Sequence, residues 1–113
     1  MSEGDGHEFI DTFCSALRTG KRLKVIDKRG KIYRLEDFRI LEVHAVGLTY
    51  NGSAPAARVF EVANFAIDPS ESRWELLRLS NVLECKVTDE KSHAPRQGYR
   101  LDDPDMRQIL CRI

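Results

Sequence analysis

The sequence predicts a mainly-β domain, a strongly curved sheet or small barrel with an α-helix flanking it at each end of the chain. Three observations carry this. Short runs of β-branched, aromatic and alternating apolar residues recur from Leu23 onward. Turn-forming residues interrupt them at intervals of about ten residues. No helical stretch separates most of these runs, which disfavours a layered parallel sheet. At 113 residues the chain is long enough to bury one core without staples, and it reads as a flexible tail over residues 1–6 followed by a single domain over 7–113.

The first helix rests on periodicity. Phe9, Ile10, Phe13, Cys14, Ala16 and Leu17 recur at helical spacing, with Glu8, Asp11, Thr12 and Ser15 on the opposite side. Gly20 suits the left-handed cap, and Arg18 and Lys21 suit the negative helix end. Two short strands, around Leu23-Val25 and Ile32-Tyr33-Leu35, flank a hairpin turn at Asp27-Lys28-Arg29-Gly30. Phe38 through Leu48 forms a longer strand that ends at the turn Tyr50-Asn51-Gly52. Pro55 keeps the next segment from being a central strand throughout, and alternation resumes at Arg58-Val59-Phe60-Glu61-Val62. Residues 63–72 read as an ordered flap pinned by Phe65 and Ile67.

The stretch from Arg73 to Thr88 organises the rest. It contains the single Trp, Trp74, and two strands split by Ser80-Asn81. In its second half Leu83, Cys85 and Val87 alternate with Glu84, Lys86 and Thr88, which gives one dry and one wet face. In its first half Arg78 stands among Trp74, Leu76, Leu77 and Leu79 and requires a partner, either a carboxylate or an anionic ligand. Residues 89–98, with Pro95, read as a loop. Asp103-Pro104 then supplies a cap and a first-turn proline, and Met106, Ile109, Leu110 and Ile113 fall at i, i+3, i+4 and i+7, so a C-terminal helix is expected.

Composition narrows the function classes. Lys+Arg and Asp+Glu are both 18, so no global field draws the protein to nucleic acid and any polyanion binding must come from local clustering. Cys14, Cys85 and Cys111 are odd in number and lack CxxC spacing, which favours buried thiols in a reducing cytoplasm. The N-terminus lacks the apolar core of a signal peptide, and no run approaches the ~18 apolar residues of a membrane span. His7, His44 and His93 are scattered, and no nucleophile elbow, phosphate loop or dinucleotide fingerprint is present. A non-enzymatic protein without metal or cofactor is expected.

Local clusters of basic and aromatic residues leave binding open. Lys21, Arg22, Lys24, Lys28, Arg29, Lys31 and Arg34 crowd the first hairpin, either as a phosphate track or as a solvated face balanced by Glu36 and Asp37. Arg58, Arg73, Arg78 and Arg96 lie in or beside apolar strands and the proline loop, where a guanidinium fork matches phosphate oxygens and Trp74, Phe60 or Tyr50 could stack on a base. The competing reading pairs these arginines with Glu42, Glu61, Glu75 or Glu84 across neighbouring strands. His44, between Val43 and Ala45, faces solvent or a groove if those two are buried.

Several segments occur in an order that resembles the small stand-alone members of the WYL domain family. They are Ala16-Leu17 with Lys24-Val25-Ile26-Asp27, Glu42 through Gly47, Trp74 through Val82, Val87 through Glu90, Pro95-Arg96-Gln97-Gly98-Tyr99, and Met106 with Ile109. The tripeptide that names that family is replaced by Arg58-Val59-Phe60. The resemblance implies an SH3-like, or Sm-like, β-barrel acting as a sensor or regulatory module for a nucleotide or short single-stranded nucleic acid. Arg78, with Arg58, Arg73, Arg96, His44, Trp74 and Tyr50, is the ligand set expected on this reading. The alternative is a module that pairs with a regulatory protein or with a second copy of itself through the stripes of its amphipathic helices.

Overall fold

A computed structural model describes residues 5–28, 38–63 and 73–113. A 3-10 turn at His7–Phe9 leads into helix α1 (Ile10–Thr19), followed by strands β1 (Lys21–Asp27), β2 (Arg39–Thr49), β3 (Pro55–Ala63) and β4 (Trp74–Arg78). A second 3-10 turn at Leu79–Asn81 separates β4 from β5 (Val82–Lys91), and β6 (Met106–Arg112) ends the chain. Helix α1 forms where its periodicity places it. Phe13, Cys14 and Ala16 are buried, and Gly20, at φ 69°, donates its N–H to Ala16 and Leu17 to stop the helix one residue before β1. Ser80-Asn81 likewise splits the Trp-containing segment as expected. The first hairpin's turn from Arg29 and its second run, with Arg29, Lys31 and Arg34, and the flap around Phe65 and Ile67 lie outside the described residues.

All strand pairs are antiparallel and form one sheet in the order β4-β3-β2-β1-β5, with β6 also paired to β2. β2 is the spine. Its first residues, Arg39 to Leu41, pair with β1, its second half from Ala45 to Thr49 pairs with β6, and β3 runs along its other edge. Among the described strands the sheet path does not close on itself, since β4 and β5 stand at its two ends. The core lies under α1, where Leu23, Val25, Leu41, Val43, Val46, Val59, Leu77 and Leu79 meet Phe13, Cys14 and Ala16.

Two expectations are corrected. The C-terminal segment is strand β6 and not a helix. Its pairing with β2 shifts register between Val46 and Gly47 and again between Leu48 and Thr49. Each shift inserts an extra residue, so the residues turned inward, Met106, Ile109 and Cys111, are spaced by three and then two. That spacing imitates the i, i+3 step of a helix. Gly47 permits the pairing, because a Cβ there would lie 2.3 Å from the Gln108 carbonyl oxygen. The second correction concerns the cysteines. Cys14 on α1 and Cys111 on β6 form a disulfide, with Cα atoms 6.1 Å apart. Only Cys85 is a free thiol, half-buried, and burial pushes it up to about 11 against a hydrogen bond with Thr12 that pulls it down. It is therefore protonated and inert at neutral pH.

Candidate ligand-binding cleft

On the face of the sheet away from α1, the β3–β4 register sets Arg58 opposite Leu76, Phe60 opposite Trp74 and Ala56 opposite Arg78. Side chains two apart on a strand share a face, so Arg58, Phe60, Trp74, Leu76 and Arg78 belong to one surface. The segment 92–105 lies across this surface as a strap, with a cis peptide bond at Ala94-Pro95. Trp74 Nε1 donates to the Gln97 carbonyl at 3.2 Å. Between sheet and strap is a cleft of about 210 Å³ lined by Arg58, Trp74, Gly98, Tyr99, Arg100, Asp103 and Pro104.

Electrostatics divide the arginines into bound and available groups. Arg58 is held in a fork by Asp103, at 2.7 and 3.0 Å, and by Asp105 at 2.6 Å, so carboxylates already neutralise its charge. Arg96 donates to both oxygens of Glu42, at 2.6 and 3.2 Å, and stacks its guanidinium over Phe60, 4.7 Å from the ring centre. Arg73 donates to the Val62 carbonyl at 2.7 Å. The side chains of Arg78 and Arg100, both exposed, make no hydrogen bond or ion pair among the described residues. Tyr50 is 68% exposed on the turn after β2.

His44 is fully buried, so of the two settings expected for it, solvent or a groove, it does not take the first. The reason is the strap. Alternation does turn His44 away from the α1 side, and a register shift between Val43 and Ala45 leaves it outside the β2–β3 pairing, but residues 92–105 cover that side too. The ring packs edge-on to Trp74 at 4.7 Å and tilts against Tyr99 at 5.2 Å. Burial pulls its pKa below the ordinary 6.5, helped by Arg96 and opposed by Glu42.

Glu42 is the hub beneath the strap. Fully buried, it accepts from Arg22 Nε at 3.0 Å, from Arg96 and from the His93 backbone N–H at 2.9 Å. Burial alone would push its carboxyl up, but Arg96, the His93 N–H and Arg22 together hold it below the ordinary carboxylate range. Asp103 is governed the same way: burial raises it, while Arg58, the Asp105 N–H and the charge of Arg100 bring it lower.

Linkage fixes the sign of the pH dependence. His44, Glu42 and Asp103 all have folded pKa values below their unfolded ones, so each contributes stability that is complete above its unfolded pKa. That stability is lost as pH falls through the folded values, beginning below 6.5 for His44, below 4.5 for Glu42 and below 3.8 for Asp103. Urea midpoints are expected to fall stepwise on acidification, with the Glu42 part of the carboxylate step removed in Glu42→Gln and the Asp103 part kept. A midpoint constant from neutral pH to below about 4 would contradict this ion-pair account of the strap.

Comparison of the chain with protein-family models, curated proteins and solved structures finds no match. The WYL resemblance rests on the residues that carry it. Of the expected ligand set, the structure brings Arg58 and Trp74 into one cleft, uses Arg96 and His44 to hold the strap, and leaves Tyr50 apart on its turn. Tyr99, Arg100 and Asp103 line the cleft and stand outside that expected set. A second group also escaped the sequence reading. Arg39, 1% exposed, reaches Asp27 at 2.7 Å, Glu61 at 2.8 Å and Glu75 within hydrogen-bonding contact. Its signal was present, because Arg39, Glu42 and His44 interrupt an otherwise apolar strand and buried charges need partners.

Proposed function

We propose that the chain is a non-enzymatic binding module whose Trp74–Tyr99 cleft takes a small planar anion, a nucleotide or one unit of a short single-stranded nucleic acid. The observation that carries this reading is the joining of aromatic side chains to exposed arginines that make no ion pair among the described residues, Arg100 in the cleft and Arg78 on the same face. Aromatic rings stack on any base, and a guanidinium without an ion-pair partner is open to a phosphate, Asp103 offsetting only part of the charge of Arg100. Arg58 then shapes the cleft, its own charge being answered by Asp103 and Asp105.

The non-enzymatic reading is supported by the state of the groups best suited to chemistry. Both ring nitrogens of His44 are hydrogen-bonded, and the Cys85 thiol stays protonated. For the fold, the SH3-like, or Sm-like, reading has the support of a single antiparallel sheet of six described strands in which β5 returns beside β1. No helix among the described residues is long and apolar enough to cross a membrane. A cytoplasmic location loses the support of three free thiols, because Cys14 and Cys111 are joined.

As the only tryptophan, Trp74 is a clean fluorescent reporter of the cleft. Titration with adenosine monophosphate and with a short oligothymidylate is expected to change its emission, more weakly at high salt. The Arg78→Ala, Arg100→Ala variant is expected to bind about tenfold or more weakly, the effect of losing charge-assisted hydrogen bonds. No response to either ligand at millimolar concentration would reject the cleft reading. The protein-partner reading would then gain, since Leu83, Leu110 and Ile113 are exposed apolar residues on and beside β5 and β6, and a mass that rises with concentration would identify the partner as a second copy.

A further inference from the structure

The strap is fastened to the sheet at His44 by a bond that works in only one protonation state. The His44 Nδ1–H donates to the Glu42 carbonyl at 3.1 Å, and Nε2 accepts the Arg96 backbone N–H at 2.9 Å. Both contacts together require the neutral ring with its proton on Nδ1. An amide N–H can only donate, so a proton on Nε2 would set two hydrogens against each other in a site with no water-facing surface. We infer that His44 is an acid-released clasp: protonation of its Nε2 expels the Arg96 amide and lifts the Arg96–Arg100 part of the strap, opening one wall of the cleft.

The surroundings decide where that release falls. From its own strand Glu42 attracts a proton to the ring, but that carboxylate is already engaged by Arg22 of β1 and by Arg96 of the strap. The charge of Arg96 opposes protonation directly. Trp74 and Tyr99 present uncharged rings from β4 and the strap, and Arg112 of β6 is paired beside Ala45, the next residue along β2. Burial and Arg96 therefore prevail, and the clasp stays shut at neutral pH.

Release is confined to the middle of the strap. His93 N–H remains on Glu42 at one side, and Asp103 remains on Arg58 at the other. The freed segment contains Gly98, Tyr99 and Arg100, which line the cleft, and Gln97, whose carbonyl accepts from Trp74. The consequence for a ligand rests on the reading of the cleft as a binding site. The clasp itself is tested without any ligand, so the two can fail separately.

The test is amide hydrogen exchange on the whole chain near pH 7.5 and near pH 5, corrected for the intrinsic pH dependence of exchange. If opening lets His44 regain an ordinary pKa of 6.5, protection of the Arg96 amide is expected to fall about thirtyfold between these conditions, one proton being taken up per opening. Amides of the β2–β3 ladder should keep their protection. His44→Gln places an oxygen acceptor toward the Arg96 N–H that does not titrate in this range, and there the fall is expected to vanish. Arg96 protection that changes by less than about threefold in the wild type, or that falls equally in His44→Gln, overturns the clasp. Should that variant fail to fold, the His44 ring nitrogens of the wild type decide by NMR: Nε2 protonating in step with exposure of the Arg96 amide supports the clasp, and exposure without ring protonation overturns it.

Discussion

Reduction of the Cys14–Cys111 disulfide is expected to lower the stability of the folded chain by about 4–5 kcal/mol, the largest effect of any single covalent change. The bond joins residues 97 positions apart, so it closes a loop of nearly the whole sequence in the unfolded state, and the chain-entropy effect rises with the logarithm of the loop. It also fastens α1 to β6, two elements that are otherwise in light contact with one another. Against a typical domain stability of about 5–15 kcal/mol, a loss of that size is a large share. The measurement is urea unfolding with and without reductant, for the wild type and for Cys14→Ala, Cys111→Ala. The wild type should fall to the level of the variant when reduced, and the variant should not respond. A reductant effect below about 1 kcal/mol would mean that the disulfide does not constrain the unfolded chain in the way its span requires.

Arg39→Met is expected to cost about 3–5 kcal/mol near neutral pH, the usual penalty for removing one side of a buried ion pair. The guanidinium is shared by Asp27, Glu61 and Glu75, and two of those carboxylates are almost as buried as the arginine itself. Burial alone would weaken the charge of Arg39, but Glu61 and Glu75 more than compensate, so it is a permanent cation. Methionine fills similar space without answering that negative charge. Adding Glu61→Gln should therefore recover part of the penalty, because it removes one of the unanswered charges. Unfolding midpoints of the single and double variants are the check. A penalty that Glu61→Gln leaves unchanged would point to lost packing in place of unanswered charge.

How much of this was legible follows from the range of each interaction. Helix α1 was readable because its apolar stripe and its Gly20 cap are local. The strand pair around Ser80-Asn81 was readable for the same reason. β6 was misread because bulges against β2 gave a strand the spacing of a helix, and only the partner strand reveals the bulges. The cysteine pairing spans nearly the whole chain, and no spacing rule reports such a connection. At the cleft, Arg58 and Trp74 were visible as unusual residues in strands. Asp103 was read as a helix cap, whereas its carboxylate turns to Arg58, 45 positions earlier in the chain. Similarly, His44 could be assigned to the face opposite the core, but nothing local says that a later loop covers that face.

The double use of one edge of β2 has a consequence for synthesis. β1 occupies the first part of that edge and β6 the second, so the first and last of the described strands are stitched to the same strand. Until β6 has been made, half of that edge has no partner and Cys14 has no Cys111. The sheet can be completed only once β6 is free to pair, and that step joins segments made far apart in time. Chains dominated by such distant pairings fold in milliseconds to seconds, and for this one the unfinished edge of β2 is the surface a chaperone would need to shield in the interval.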